Sequence, residues 1–315
     1  MNDLSTRAIL AARPPKHVVD VRRPYAFFVE QEKSTAGPLV EVATIFLTGS
    51  ECPWHCLMCD LWKHTTDHPT SLGAIPEQID YALAQLAPAR HVKLYNSGNF
   101  FDVRAVPPQD HQAIAERVRR FGRVIVENHP KLCGEPCVRF RDLCGTELEV
   151  AMGLETVHPD VLPRLNKGMT LDDFARATDF LLRHDISLRA FILLKPPFLT
   201  EQEGIEWAIR SLEYAFSLGV DCCSLVPTRG GNGILDQLKA DGQFSPPTIR
   251  SLEQVLEQGL SLGRGRVLAD LWDIERYYDC PHCGPRRADR IAAMNLSQQA
   301  APEVTCESCC TGNRS

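Results

Sequence analysis

The sequence predicts an α/β fold of parallel βα units, either a partial barrel or an open doubly wound sheet, with a small cysteine-rich tail. Three observations carry this. Short apolar, β-branched runs recur at residues 40–49, 91–98, 123–129, 148–156, 188–197, 222–228 and 266–272, each of the length and composition of a buried strand. Amphipathic stripes at helical spacing lie between most of them, and strands alternating with helices imply parallel pairing through right-handed crossovers. Six or seven such units are too few for an eight-fold barrel. After Trp272 the composition turns to Cys, Pro, Arg and Gln, which places a boundary there.

The elements follow in order. Residues 1–39 are Pro-interrupted and read as an extension with a short helix near 4–12 and an edge strand around 25–30. The run VEVATIFLTG at 40–49 ends in glycine, as a strand entering a loop does. Ile79, Leu83 and Leu86 share one helical face; so do Leu171, Phe174, Thr178 and Leu181; Ile205, Ala208, Ile209 and Leu212; and Ile249, Leu252, Val255 and Leu256. Each keeps the i, i+3, i+4 rhythm of a helix with one buried side. Residues 110–121 form a weaker fifth case, and 130–147 show no clear helix. The expected division is an extension (1–39), a barrel (40–272) and a metal-binding tail (273–315).

Composition narrows the function. Of 315 residues 44% are apolar, enough for a large core, and the net charge of -6 excludes a global basic field for nucleic acid. There is no run of 18 apolar residues and no apolar secretory core near the N-terminus, so a cytoplasmic protein without membrane contact is expected. In a reducing compartment the thirteen cysteines are metal ligands or buried thiols sooner than disulfides.

The densest group is Cys52-Pro-Trp-His-Cys56-Leu-Met-Cys59, with C-x3-C-x2-C spacing, directly after the first strand of the βα series. Three thiolates this close can hold three irons of a cubane cluster and leave the fourth iron open for chemistry. A zinc site completed by His55 or a distant cysteine has the same sequence signature. In that second reading the chain is a non-catalytic zinc or iron–sulfur module that binds RNA or a protein.

The cysteine loop at the C-terminal end of strand one of a six-fold βα repeat resembles the radical S-adenosylmethionine (SAM) superfamily. The Gly153-Leu-Glu155-Thr156 strand end and Asn166-Lys-Gly-Met-Thr170 are similar to the branch containing the Elongator radical SAM subunit and the radical SAM partner of archaeosine synthase. Met58 departs from the aromatic residue common before the third cysteine. The resemblance implies a partial (β/α)6 TIM-like barrel and a [4Fe–4S] cluster on Cys52, Cys56 and Cys59. The cluster would cleave SAM reductively to a 5'-deoxyadenosyl radical that abstracts hydrogen. It also implies SAM contacts at Asn96, Ser97 and Gly98 after strand two, at Glu155 for the ribose, at Arg189 for the carboxylate and at Val226 along the adenine. A flavodoxin- or ferredoxin-type reductant and a modified nucleoside or tRNA substrate follow from the same branch. Thr170 and Thr200 read as helix N-caps, each with an acidic residue three positions on.

In the tail, Cys280-Pro-His-Cys283 and Cys306-Glu-Ser-Cys309 form two C-x2-C knuckles, the pattern of a structural zinc that pins a segment too short for its own core. Cys310 is an alternative to Cys309, and an auxiliary cluster an alternative to zinc. Cys133, Cys137 and Cys144 read as thiols without a fourth ligand, and Cys222 and Cys223 as core. Arg286, Arg287 and Arg290 form either a solvated helix face or a contact for RNA phosphates.

Overall fold

The strands are laid side by side in the order in which the chain makes them. The computed structural model describes residues 5–35 and 37–310. Within it one eight-stranded sheet runs β1 (Ala26–Lys33), β2 (Leu39–Phe46), β3 (His91–Tyr95), β4 (Arg123–Glu127), β5 (Glu147–Glu155), β6 (Ser187–Leu194), β7 (Cys222–Pro227) and β8 (Arg266–Ala269). The hairpin strand β1 pairs antiparallel with β2, from Ala26 opposite Phe46 to Lys33 opposite Leu39. All later pairs are parallel. The seven parallel strands fall on the seven runs read from the sequence and β1 on the expected edge strand, one parallel strand more than the (β/α)6 barrel that the resemblance implies.

The helices are α1 (Thr6–Ala12), α2 (Ala74–Leu83), α3 (His111–Val118), α4 (Glu135–Cys144), α5 (Val161–Arg164), α6 (Leu171–Arg183), α7 (Glu201–Ser217), α8 (Ile234–Ala240), α9 (Ile249–Ser261), α10 (Gly284–Ser297) and α11 (Glu307–Cys310). The helix read near 4–12 begins at Thr6, and Leu4 lies outside the described residues. Thr170 and Thr200 start α6 and α7 through capping boxes with Asp173 and Glu203, each satisfying two backbone groups that a helix start leaves free. No helix of the described residues is long and apolar enough to cross a membrane.

One expectation fails: residues 130–147 contain a helix. α4 buries only Cys137, Phe140 and Cys144, at spacings of three and four. Val138 and Leu143 are only partly buried, and Arg139, Arg141 and Asp142 interrupt the pattern, so its stripe is too thin to stand out. Gly145 ends it in the left-handed conformation, at φ 62°.

The outward faces of the strands pack on the helices with aliphatic side chains such as Leu94, Val150, Ile192 and Val267. The inward face is charged at its lower end. Glu32 of β1 accepts from Lys93 of β3 (2.6 Å), from Arg266 of β8 (3.2 Å) and from Arg189 of β6. Glu149 accepts from Arg189 (2.7 Å) and Arg123 (2.8 Å). Side chains of the first and last strands therefore meet, although those strands do not pair, and the sheet is curled into an open barrel.

The tail helix α10 packs against α9, β1 and β8. Asn295 bonds both the N–H and the C=O of Ala269, and Gln298 those of Val267, at 2.8–2.9 Å. These amides occupy backbone groups that the last strand would otherwise leave open. Of the arginines beside them, Arg286 is exposed and the other two are not part of a solvated face. Arg287 and Arg290 are buried on Glu253, and Arg286, Arg287 and Arg290 donate to the carbonyls of Thr305, Val304, Ala301 and Pro302.

Candidate functional site

Residues after β2 leave the sheet as a long loop that the whole molecule braces. Gln78 of α2 grips Thr48 from both sides, accepting from its N–H (2.7 Å) and donating to its C=O (2.8 Å). Leu57 donates to the Leu165 carbonyl (2.8 Å), and Asn166 donates to the His55 carbonyl (2.8 Å). Asn232, in the glycine-rich loop after β7, donates to the carbonyls of Leu57 (2.8 Å) and Cys59 (3.2 Å). That glycine loop is a strut for the cysteine loop, not a flexible turn. Gly233 is required there, because a Cβ would collide with the Ala12 carbonyl and its φ is 90°. Glu51 ties the N-terminal segment down through Arg13 (2.5 Å) and Lys16 (2.6 Å).

The brace holds Cys52, Cys56 and Cys59 half-buried at the C-terminal end of the strands. Desolvation pushes the Cys56 thiol up to about 12, and raises Cys52 and Cys59 as well. Ligation needs thiolates, so a bound cation is what would stabilise the ionised triad. His55 stands 3.8 Å from Glu51, on the side of the loop that faces the N-terminal segment.

The predicted SAM contacts separate into two groups. Asn96, Ser97 and Gly98 follow β3, and Gly98 lies beside the cysteine loop. A Cβ on Gly98 would stand 3.5 Å from that of Cys52, and Ser97 (φ 54°) bonds the Tyr25 hydroxyl at 3.0 Å. Asn96 is fully buried, and among the described residues neither its Oδ1 nor its Nδ2 has a partner. Glu155 ends β5 with φ 66°, and its carboxylate receives Lys167 Nζ at 2.7 Å. Val226 pairs with Leu193 on β6 and packs near Leu57. Arg189 is a correction. It sits three residues into β6, with its guanidinium taken by Glu32 and Glu149, so it belongs to the barrel floor rather than to the strand ends.

Several residues of the site were not read from the sequence. Glu127, the last residue of β4, accepts from the backbone N–H of Asn96 (2.6 Å) and Gly98 (3.3 Å), and desolvation lifts its carboxyl to about 7. Its position at the end of a parallel strand was the available signal. Lys167 lies within electrostatic reach of Cys56 and Cys52 as well as Glu155. A Cβ at Gly153 would collide with the Glu155 carboxylate and Lys167 Nζ, so glycine keeps this cradle open. Asn99 Nδ2 donates to Cys52 Sγ at 3.1 Å. His129 stacks on Trp54 with centroids 3.8 Å apart; its Nε2–H donates to the Lys167 carbonyl while Lys131 N–H donates to Nδ1. Burial holds that imidazole neutral, down at about 3.

A second centre lies in the tail, where the sulfurs of Cys280, Cys283, Cys306 and Cys309 gather within 4.8 Å of one another. Cys280 and Cys306 are 4.0 Å apart, and Cys283 and Cys309 3.6 Å. A tetrahedral ion with metal–sulfur bonds of about 2.3 Å sets its thiolates roughly 3.8 Å apart. The side chain of Cys310 lies outside the described residues. Cys137, Cys144, Cys222 and Cys223 are buried. Cys133 is half-buried and accepts from Asn128.

No protein-family model matches the chain. It is 26% identical over 302 residues to archaeosine synthase subunit beta of Methanosarcina acetivorans, covering 87% of this chain and 84% of that protein. Its fold is similar to Methanocaldococcus infernus Elp3 (TM-score 0.50, 14% identity, 71% of this chain and 59% of that one). It is also similar to Escherichia coli coproporphyrinogen III oxidase, described as a radical SAM enzyme (TM-score 0.50, 14% identity, 82% and 56%). The chain therefore spans less than two thirds of both solved proteins, and these likenesses concern the fold. The chain resembles the radical SAM branch that its cysteine loop and Gly-Leu-Glu-Thr segment indicated.

Proposed function

We propose that the chain is a radical SAM enzyme, with a [4Fe–4S] cluster on Cys52, Cys56 and Cys59 and SAM bound across the ends of β3, β5 and β7. The observation that carries this reading is the unpartnered, fully buried Asn96 beside a half-buried thiol triad. Buried amides are rarely left without partners unless a ligand completes them. The triad does not crowd into the 4.8 Å group that the tail cysteines form. That fits a cubane, which places each thiolate on a different iron.

When bound by Cys52, Cys56 and Cys59, the cluster would supply the electron for reductive cleavage of SAM. The chain's own residues bind and orient. Glu127 fixes the backbone turn 96–98 so that Asn96 faces the amino-acid end of SAM. Glu155 offers a carboxylate for ribose hydroxyls, held in place by Lys167. Val226 offers an apolar edge to the adenine. Trp54 and His129 cover the loop and exclude water. The tail cysteines hold zinc, and the electron comes from a flavodoxin- or ferredoxin-type protein. The name of the beta-subunit relative supports a partner subunit and a modified nucleoside or tRNA as substrate.

The test is anaerobic reconstitution with iron and sulfide, then SAM and dithionite, with chromatography for 5'-deoxyadenosine. The product is expected from the wild type and absent from Cys56→Ala. A broad absorbance near 400 nm (roughly, as for thiolate-bound clusters) should accompany it. Zinc on the first loop, without that absorbance, would instead favour the non-catalytic binding module.

A further inference from the structure

Above its charged floor the inward face of the barrel is aromatic. Phe28, Phe46, Tyr95 and Phe191 remain half-buried, while the strand neighbours that face the helices, Ile45, Leu94 and Ile192, are sealed from solvent. The half-buried rings meet across the lumen: Tyr95 and Phe191, from strands that are not neighbours, have centroids 6.1 Å apart. Trp272, just past β8, stands 6.2 Å from Phe28 and 6.0 Å from Phe46, with 47% of its surface exposed. Nearly half of this indole's surface, at the mouth of the aromatic lumen, is open to a stacking partner.

Next to it lies an ion pair that the SAM site does not use. Arg229 Nη2 donates to Asp270 Oδ2 at 2.7 Å, and Trp272 N–H donates to Asp270 Oδ1 at 2.9 Å. Among the described residues the other nitrogens of Arg229 have no hydrogen-bond acceptor. Asp270 has spent two of the roughly four acceptor positions of a carboxylate. Free donors and free acceptors thus stand side by side. Asp60, the neighbour of Cys59, lies within electrostatic reach of Arg229 and of Tyr277, whose hydroxyl donates to the Pro227 carbonyl at 3.1 Å. Asp60 thereby links the pair to the residue next to Cys59, whereas Lys167 interacts with Glu155, Cys56 and Cys52.

We infer that this end of the lumen is the substrate subsite and takes a planar, amino-bearing nucleobase, stacked on Trp272 and read along its edge by Asp270 and Arg229. Aromatic stacking accepts any base. A carboxylate accepting from an exocyclic amino group beside a guanidinium donating to a ring or carbonyl acceptor selects the edge. The inference rests on the radical SAM reading for its location, not for its chemistry.

The test uses the full chain with its metals, and binding of cytidine, adenosine, guanosine and uridine followed by calorimetry. The amino-bearing nucleosides should bind more tightly than uridine. Trp272→Ala should weaken all four by about tenfold or more, and Trp272→Phe should recover most of that. Asp270→Asn should erase the preference over uridine while leaving stacking affinity in place. Wild-type protein that binds no nucleoside, or that binds all four as well after Trp272→Ala, would overturn the inference. Should Trp272→Ala not fold, Trp272→Phe and Asp270→Asn still report through the uridine comparison. Production of 5'-deoxyadenosine by the wild type alone is scored separately. Its absence sinks the parent reading, whereas its presence without nucleoside binding sinks only this one.

Discussion

The carboxylate of Glu127, on β4, accepts the backbone N–H of Asn96, past the end of β3, at 2.6 Å. One strand thus shapes the turn that ends its neighbour, and the turn presents a buried amide with no partner of its own.

Desolvation raises the Glu127 carboxyl from an ordinary 4.5 to about 7 in the folded chain. Between those values the folded state holds more protons than the unfolded one, so stability falls as pH rises. The contribution is complete below about 4.5 and is lost by about 7. Melting temperatures across pH 5 to 8 should decline in the wild type and flatten over that interval in Glu127→Gln. An unchanged slope in the variant would show that another group titrates.

Lys167→Met leaves the Glu155 carboxylate buried without its cation, and should cost about 3–5 kcal/mol. Lys167→Met combined with Glu155→Leu removes both charges and should restore most of that stability without restoring SAM binding. Denaturant unfolding together with SAM titration separates the two effects. Recovery of binding in the double variant would exclude Glu155 as a SAM contact.

Arg189→Met strips one cation from the pair of buried glutamates on the barrel floor. A loss of about 3–5 kcal/mol is expected, with SAM affinity of the folded fraction unchanged. A selective loss of SAM affinity at constant stability would return Arg189 to the strand-end site.

Cys283→Ala breaks the tail tetrad. Metal analysis should show the loss of about one equivalent of zinc with iron content preserved, and a lower melting temperature. Without the ion the arginine contacts to 301–305 remain, but they stop short of Cys306 and Cys309. Joint loss of iron and zinc would instead mark the tail as an auxiliary cluster.

Much of the fold was legible because a strand covered by helices must be apolar on that face, and seven short β-branched segments carried that mark. The capping boxes at Thr170 and Thr200 were legible because both partners lie within one helical turn. α4 was obscured because only three of its residues are fully buried and charged side chains stand between them. Arg189 was misplaced because a charge in a strand can face the floor or the mouth of a barrel, and nothing local distinguishes the two.

By itself the sequence determined the alternation of strands and helices, the thiol triad at the end of one strand and the paired knuckles of the tail, since each depends on spacing along the chain. Tertiary structure alone decided that Glu127 shapes the Asn96 turn, that Lys167 meets Glu155 beside the triad, that tail arginines and amides close onto α9 and β8, and that Arg229 and Asp270 meet beside Trp272. These contacts join residues far apart in sequence. Burial makes their charges and amides demand partners, and only the curl of the sheet settles which partners come within reach.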